Sequence, residues 1–156
     1  MPDIAGAKKA IREKFENDWA ELDFSPLAGP PPVQLQNTEP PQTPWPPHEF
    51  PWVYLEIIDT GNDLRGAGTP GNHAWLYTGT IFVHIFVPID YGIDDVEQWA
   101  VKAGDIFKAQ TFYNAPGTGV KVICGAPALV GGGSDADKGT WFRLTMSIPF
   151  EYYHLG

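Results

Sequence analysis

Four histidines, one cysteine and a glycine-rich stretch are the residues of this 156-residue sequence with the most obvious capacity for chemistry. His48, His73, His84 and His154 are scattered, without the HxH or HExxH spacing that brings two imidazoles to one metal ion. Cys124 is the single cysteine, so no intrachain disulfide can form. A histidine elsewhere in the chain does not make it a nucleophile, and it reads as a buried, inert thiol. Gly131-Gly132-Gly133-Ser134 imitates a phosphate loop but lacks the lysine and the following helix. Asp135, Asp137 and Gly139 imitate part of a calcium loop, yet the spacing departs from an EF-hand and no closing glutamate follows. Both read as the tip of a flexible hairpin. No GxSxG nucleophile elbow is present. The expectation is therefore no catalytic residue, no metal site, no cofactor and no enzyme activity.

Composition narrows the class. An apolar share of 43% and an aromatic share of 13% argue against disorder, and the length suits one domain. Charged residues make up 19%, below the usual ~25%, which favours sheet over long solvated helices. Nineteen carboxylates against ten Lys plus Arg give a net charge of −9. Such a chain repels phosphate, so wrapping by duplex DNA is disfavoured, although an acidic channel through which DNA slides is not. The N-terminal charges Asp3, Lys8, Lys9, Arg12 and Glu13 break any signal-peptide core, and the apolar run Ile81–Ile89 is far short of a membrane span. A soluble protein that is not exported is expected.

The elements that must position any site follow from periodicity. Ile4, Ala7, Ile11, Phe15, Trp19 and Leu22 recur at helical spacing and predict an amphipathic helix over 3–22, with Asp3 as its cap. Ten prolines between 26 and 51 exclude a helix there and predict an extended arm near polyproline II, with room for a short strand from Val33 to Asn37. Pro41-Gln42-Thr43-Pro44 formally fits a PxxP ligand, but an ordered arm or rigid spacer is the better reading. A strand is predicted from Trp52 to Ile58, a Gly/Asn/Asp loop over 59–73, and a long strand over 74–87. A second helix is predicted over 93–109, buried through Val96, Ala100, Ala103, Ile106 and Phe107. A strand from Val120 to Cys124, extending towards Val130, precedes a mobile loop at 131–139. The last strand, Thr140–Tyr153, alternates cleanly: Phe142, Leu144, Met146, Ile148, Phe150 and Tyr152 on one face, Trp141, Arg143, Thr145 and Ser147 on the other. Helix, strands, helix, strands predict a single α+β domain over 1–156, a mixed, mostly antiparallel sheet with both helices on one face.

Tryptophans at 45, 52, 75, 99 and 141 exceed what two helix stripes and one sheet face can bury. Tyr54, Phe82 and Phe86 fall on the face away from the helices, with His84 between the two phenylalanines. A partly apolar second face marks either a partner surface or a seat for the proline arm. Tyr54, Phe82, His84, Phe86, Trp141 and Arg143 are the candidate interface residues.

Several stretches, taken in order, resemble the tail terminator-like (tail completion) proteins of long-tailed bacteriophages and gene transfer agents. They are the helix with Phe15 and Trp19, Asn37 in the extended stretch, and Phe50-Pro51-Trp52-Val53 opening a strand. Tyr77 through Val87-Pro88 follows, with the turn at Gly92 and the helix Val96–Phe107. Trp141-Phe142-Arg143-Leu144 and Ser147-Ile148-Pro149-Phe150 come last. The resemblance spans nearly the whole chain, though there are more prolines between Pro40 and Pro51 than the family pattern suggests. It implies a structural virion protein: a homo-oligomeric ring, usually of six, at the head-proximal end of the tail tube. The ring stops tube polymerisation and supplies the head-joining surface. Its partners would be itself, the major tail tube protein and head–tail connector proteins, with DNA passing through the channel unbound. It would be assembled in the host cytoplasm and sit in the neck of the virion. Asp59, Asp63, Asp135 and Asp137, expected on loops, are the candidates to face that channel. The alternatives are a head–tail connector or other neck-ring protein and, further off, a small hydrolase or ligand-binding domain.

Overall fold

The structure, a computed structural model, describes residues 3–25, 27–47, 49–66, 68, 71, 73–115, 120–134 and 141–155. The first helix, α1 (Ile4–Ala20), starts where the Asp3 carboxylate accepts the Gly6 N–H at 2.7 Å, as an N-cap should. Its stripe Ala7, Ile11, Phe15 and Trp19 is buried. The second helix, α2 (Asp94–Phe107), carries Asp94, Asp95 and Glu97 in its first turn, where they complement the helix dipole. It buries Val96, Trp99, Ala100, Ala103, Ile106 and Phe107.

Among the described residues, seven strands form one sheet. Strand β1 (Val33–Leu35) runs parallel to β2 (Trp52–Gly66), and β2 pairs antiparallel with β3 (Ala74–Pro88) along nearly its whole length. The other strands are β4 (Thr111–Ala115), β5 (Val120–Cys124), β6 (Ala128–Ser134) and β7 (Trp141–Leu155). The order is β1-β2-β3-β7-β5-β4. One edge of β7 is shared, with β6 along residues 142–147 and β5 along 150–153. Both helices and the inward face of the sheet contribute to one core cluster. Ile81, Val83, Ile85 and Val87 meet Leu144, Met146, Ile148 and Phe150 from β7, and Phe15 stacks on Phe107 at 6.1 Å to join the helices. The expected single-domain α+β fold is what the chain adopts.

Four expectations need correction. Residues 59–66 are not loop: β2 continues to Gly66, because β3 is held in register by β7 on its far side and offers β2 a complete edge. Two bulges, between Asp59 and Gly61 and between Leu64 and Gly66, absorb the residues that break alternation. Residues 131–134 are likewise strand, with the extra residue at Gly131, whose φ of 50° suits a glycine bulge. The segment 120–130 is two strands, β5 and β6, laid end to end on β7, and the short β4 was not anticipated. The proline arm is not uniformly extended but bends through residues 41–46. The remainder of the expected 131–139 loop, from 135 onward, lies outside the described residues.

The β2 edge is closed in an unusual way. Beyond the three residues paired with β1, the Ile57 N–H donates to the side-chain oxygen of Gln36 at 2.9 Å. Past Ile57, no described strand borders that side of β2.

Candidate interaction face

Cross-strand partners share a face of a sheet, so the register itself builds the site. On the side away from the helices, three rows cross β2, β3 and β7. Trp52 lies opposite Phe86, which lies opposite Arg143. Tyr54, His84 and Thr145 form the next row, and Glu56, Phe82 and Ser147 the third. Trp52 stacks on Phe86 at 4.1 Å, and Trp141 meets Trp52 edge-on at 6.0 Å. All six candidate interface residues are thus brought to one surface: Arg143 is exposed, and Tyr54, Phe82, His84, Phe86 and Trp141 are half-buried.

His84 is the polar centre of this face. One ring nitrogen lies 2.7 Å from Thr145 Oγ1 and the other 3.1 Å from Glu56 Oε1. Its ring stacks between Tyr54 and Phe82, each with centroids 5.9 Å away. Burial pushes the imidazole below its ordinary value; the hydrogen bond and charge of Glu56 oppose this, and Arg143 adds to it. Burial likewise raises the Tyr54 phenol. Glu56 and Thr145 were not anticipated. The alternation of each strand put them on this face, but only the register between strands shows that they meet at His84.

Glu56, His84 and Thr145 stand in the order acid, base, hydroxyl that nucleophilic catalysis uses. The geometry does not carry it further. Thr145 is 5% exposed, so a carbonyl has no approach to its oxygen. The cavities found among the described residues lie along α2 and β6 and around residues 87–93, none of them lined by His84. Cys124 is buried beneath the sheet with its thiol pushed up to about 12 by burial, so it is protonated at neutral pH. No cluster of metal-ligating side chains occurs among the described residues.

The proline arm covers only the Trp52 end of the face. Trp45 packs edge-on against Trp52 at 5.1 Å and Pro47 is buried, while residues 37–44 are exposed. The arm therefore seats one tryptophan of the surplus and leaves Tyr54, Phe82 and His84 open to one side.

The acidic candidates separate. Asp59 faces the helices and pairs with Lys8 of α1 at 2.5 Å. Asp63 lies opposite Leu76, on the other face, because the bulge at Thr60 reverses the alternation between them. Both are exposed strand residues rather than loop residues. Asp135 and Asp137 lie outside the described residues.

No family model matches the sequence, and no curated protein is significantly similar to it. Six solved chains resemble the structure. One of them superposes with a TM-score of 0.60 at 18% identity, covering 93% of this chain and 94% of that one. Likeness at that identity speaks for the fold: a single-domain α+β unit with two helices on a curled, mostly antiparallel sheet. No helix among the described residues is long and apolar enough to cross a membrane.

Proposed function

We propose that this chain is a tail terminator-like protein, forming a ring of its own copies at the head-proximal end of a phage or phage-like tail tube. The ring ends tube polymerisation and presents the surface to which the head connector joins. The observation that carries this reading is the outer sheet face. It is built in register from three strands, rich in half-exposed Trp, Tyr and Phe, and centred on a histidine committed to neighbours rather than to a cavity. Such a face suits a protein partner, since large aromatics carry much of the energy of interfaces. The major tail tube protein is the partner assigned to it. The order of elements agrees with what the sequence resemblance implies, and the net charge of −9 per subunit suits a ring that lets duplex DNA pass without holding it. The site of action is then the neck of the virion, after assembly in the host cytoplasm.

The test is electron microscopy of purified tail tubes mixed with the chain. A ring with rotational repeat, at one end only, is the expected result. Binding along the tube wall, or no binding, refutes the reading. A ring that attaches to isolated heads and not to tubes points instead to a connector.

A further inference from the structure

Four stretches of strand edge border no further strand among the described residues: the outer sides of β1, β4 and β6, and β2 past Ile57. Natural sheets keep such edges from pairing by making them short, bulged, charged or proline-flanked. Three of the four are protected in this way. β1 is three residues long and follows Pro30-Pro31-Pro32. β4 breaks register between Phe112 and Ala115, where Tyr113 has a left-handed φ of 54°. The far half of β2 has two bulges and carries Asp59, Asp63 and Arg65. β6 is the exception. Ala128-Leu129-Val130-Gly131-Gly132-Gly133-Ser134 has no charge and no proline, and is interrupted by a single bulge at Gly131.

Two features make β6 a receiving edge. Its backbone is bare: residues 128–133 are exposed, and an added methyl at Gly133 would meet nothing within 4 Å, so the chain's own packing does not require glycine there. Glycine within a strand often marks where another backbone comes close. The second feature is a groove alongside. A cavity of about 620 Å³ lies between α2 and β6, and one of about 340 Å³ continues it to Pro127, with Val101 lining both. Leu129, on the helix-facing side opposite Met146, is 47% exposed and Val101 is 49% exposed, so the middle of the groove is apolar.

The rim is acidic. Asp94 and Glu97 line the larger cavity and Asp105 the smaller, and none of the three is ion-paired with a described residue. Lys102 already donates to the Asp23 carbonyl and lies over the Phe24 ring at 5.4 Å, while Lys108 lines the smaller cavity with Asp105. Ile93 and Phe142 share a cavity, and Phe142 pairs with Ser134, so Asp94 and Glu97 lie towards the glycine half of β6. The acidic end of the groove is thus the end where the strand has few side chains of its own to fill the space.

We infer that the β6 edge and this groove receive an extended segment of a different protein, with apolar side chains at alternate positions and a Lys or Arg at the end near the first turn of α2. The added strand lies ~4.8 Å from β6. Its apolar side chains pack on Leu129 and Val101, and its cation reaches Asp94 and Glu97 across Gly132. Backbone hydrogen bonds supply affinity and the alternation supplies register. Charge selects this occupant over a second copy. The edges of β1 and β4 carry no cation, and the far half of β2 has two carboxylates to one arginine. Two β6 edges paired with each other would set their acidic rims face to face. The inference stands apart from the ring reading and adds a partner chemistry to it.

The probe is the synthetic peptide Lys-Thr-Val-Thr-Val-Thr-Lys, acetylated and amidated, which presents Lys and Val on one face in either chain direction. It is titrated into the full chain at low salt and followed by amide shifts and hydrogen exchange. Saturable shifts are expected at residues 128–133 and 94–101, with slowed exchange of β6 amides. Replacing both peptide lysines by Glu is expected to weaken binding about tenfold, since surface ion pairs become repulsions. Asp94→Lys with Glu97→Lys, both at exposed positions, is expected to reverse that preference. Equal affinity of wild type for the two peptides, shifts confined to the His84 face or to another edge, or no saturable binding overturns the inference. So does a dimer of the chain alone, seen by native mass and dispersed by Val130→Lys, because a second copy would then hold the edge.

Discussion

Gly79 sits in the middle of β3, opposite Asp59 on one side and Phe150 on the other. A methyl group placed there would lie 2.6 Å from two carbons of the Phe150 ring and 2.8 Å from the Ile58 carbonyl oxygen. Carbon atoms prefer ~3.5–4.0 Å, so the ring must retreat by about 1 Å. Phe150 is buried in the core cluster, and the carbonyl is backbone held by the β2–β3 ladder, so neither has room to yield. Overpacking of this kind costs ~1–3 kcal/mol. The stiffer unfolded chain of an alanine variant returns ~0.4–1 kcal/mol. Gly79→Ala is therefore expected to destabilise the fold by about 1–2 kcal/mol, lowering Tm by roughly 2–8 °C for a chain of this size. Urea unfolding followed by tryptophan fluorescence reads it as a lower midpoint at unchanged slope. Gly133→Ala is the matched control, since nothing lies within 4 Å of its added methyl, and it is expected to stay within ~0.5 kcal/mol of wild type. A Gly79→Ala protein that unfolds at the wild-type midpoint or above would falsify the close-approach argument.

Further outcomes follow from the same structure. Phe150→Ala and Ile85→Ala, which truncate fully packed side chains, are each expected to cost ~2–5 kcal/mol by urea titration. His84 resists protonation in the folded state, whereas the unfolded chain takes up its proton near the ordinary value of 6.5. Stability should thus be complete above that pH and fall as pH drops below it, and His84→Gln should flatten that part of a Tm-against-pH curve. An unchanged slope would show that other groups dominate. Cys124 should react with an aromatic disulfide reagent only in denaturant, and Cys124→Ser should leave ring formation on tubes intact. The purified chain should not shift duplex DNA on a gel at physiological salt; micromolar retention would contradict the unbinding channel wall.

The parts of this fold set by local periodicity were readable in advance. Helix stripes such as Ala7–Ile11–Phe15–Trp19, and the inward sets Ile81–Val87 and Leu144–Tyr152, behave as their spacing requires, because each is decided by one burial surface. The far half of β2 was not readable. Asn62 and Asp63 between glycines carry turn chemistry, and only the edge of β3, fixed by β7, makes them strand. The same non-locality hid β6, whose glycines are poor strand formers until β7 offers them a ladder. The interface candidates were legible one strand at a time, so Tyr54, Phe82, His84 and Phe86 could be placed on a shared face. The hydrogen bonds of His84 could not be, since they span 28 and 61 residues of sequence. A four-residue spacing would put Asp59 and Asp63 together in a regular strand; a single bulge, invisible in composition, separates them.

One amide side chain sets where the sheet stops being private. Gln36 holds the Ile57 N–H as the next residue of β1 would have done, so it acts as a counterfeit strand one position long. Everything upstream of it on that edge is spoken for; everything downstream is available. The boundary between self and neighbour on this edge is therefore metered by a reach of one side chain, not by the length of β1. Shortening that reach, as in Gln36→Ala, would leave a backbone donor seeking a partner one step earlier. Any assembly that reads this edge would then be offered a second phase, offset along the strand from the first.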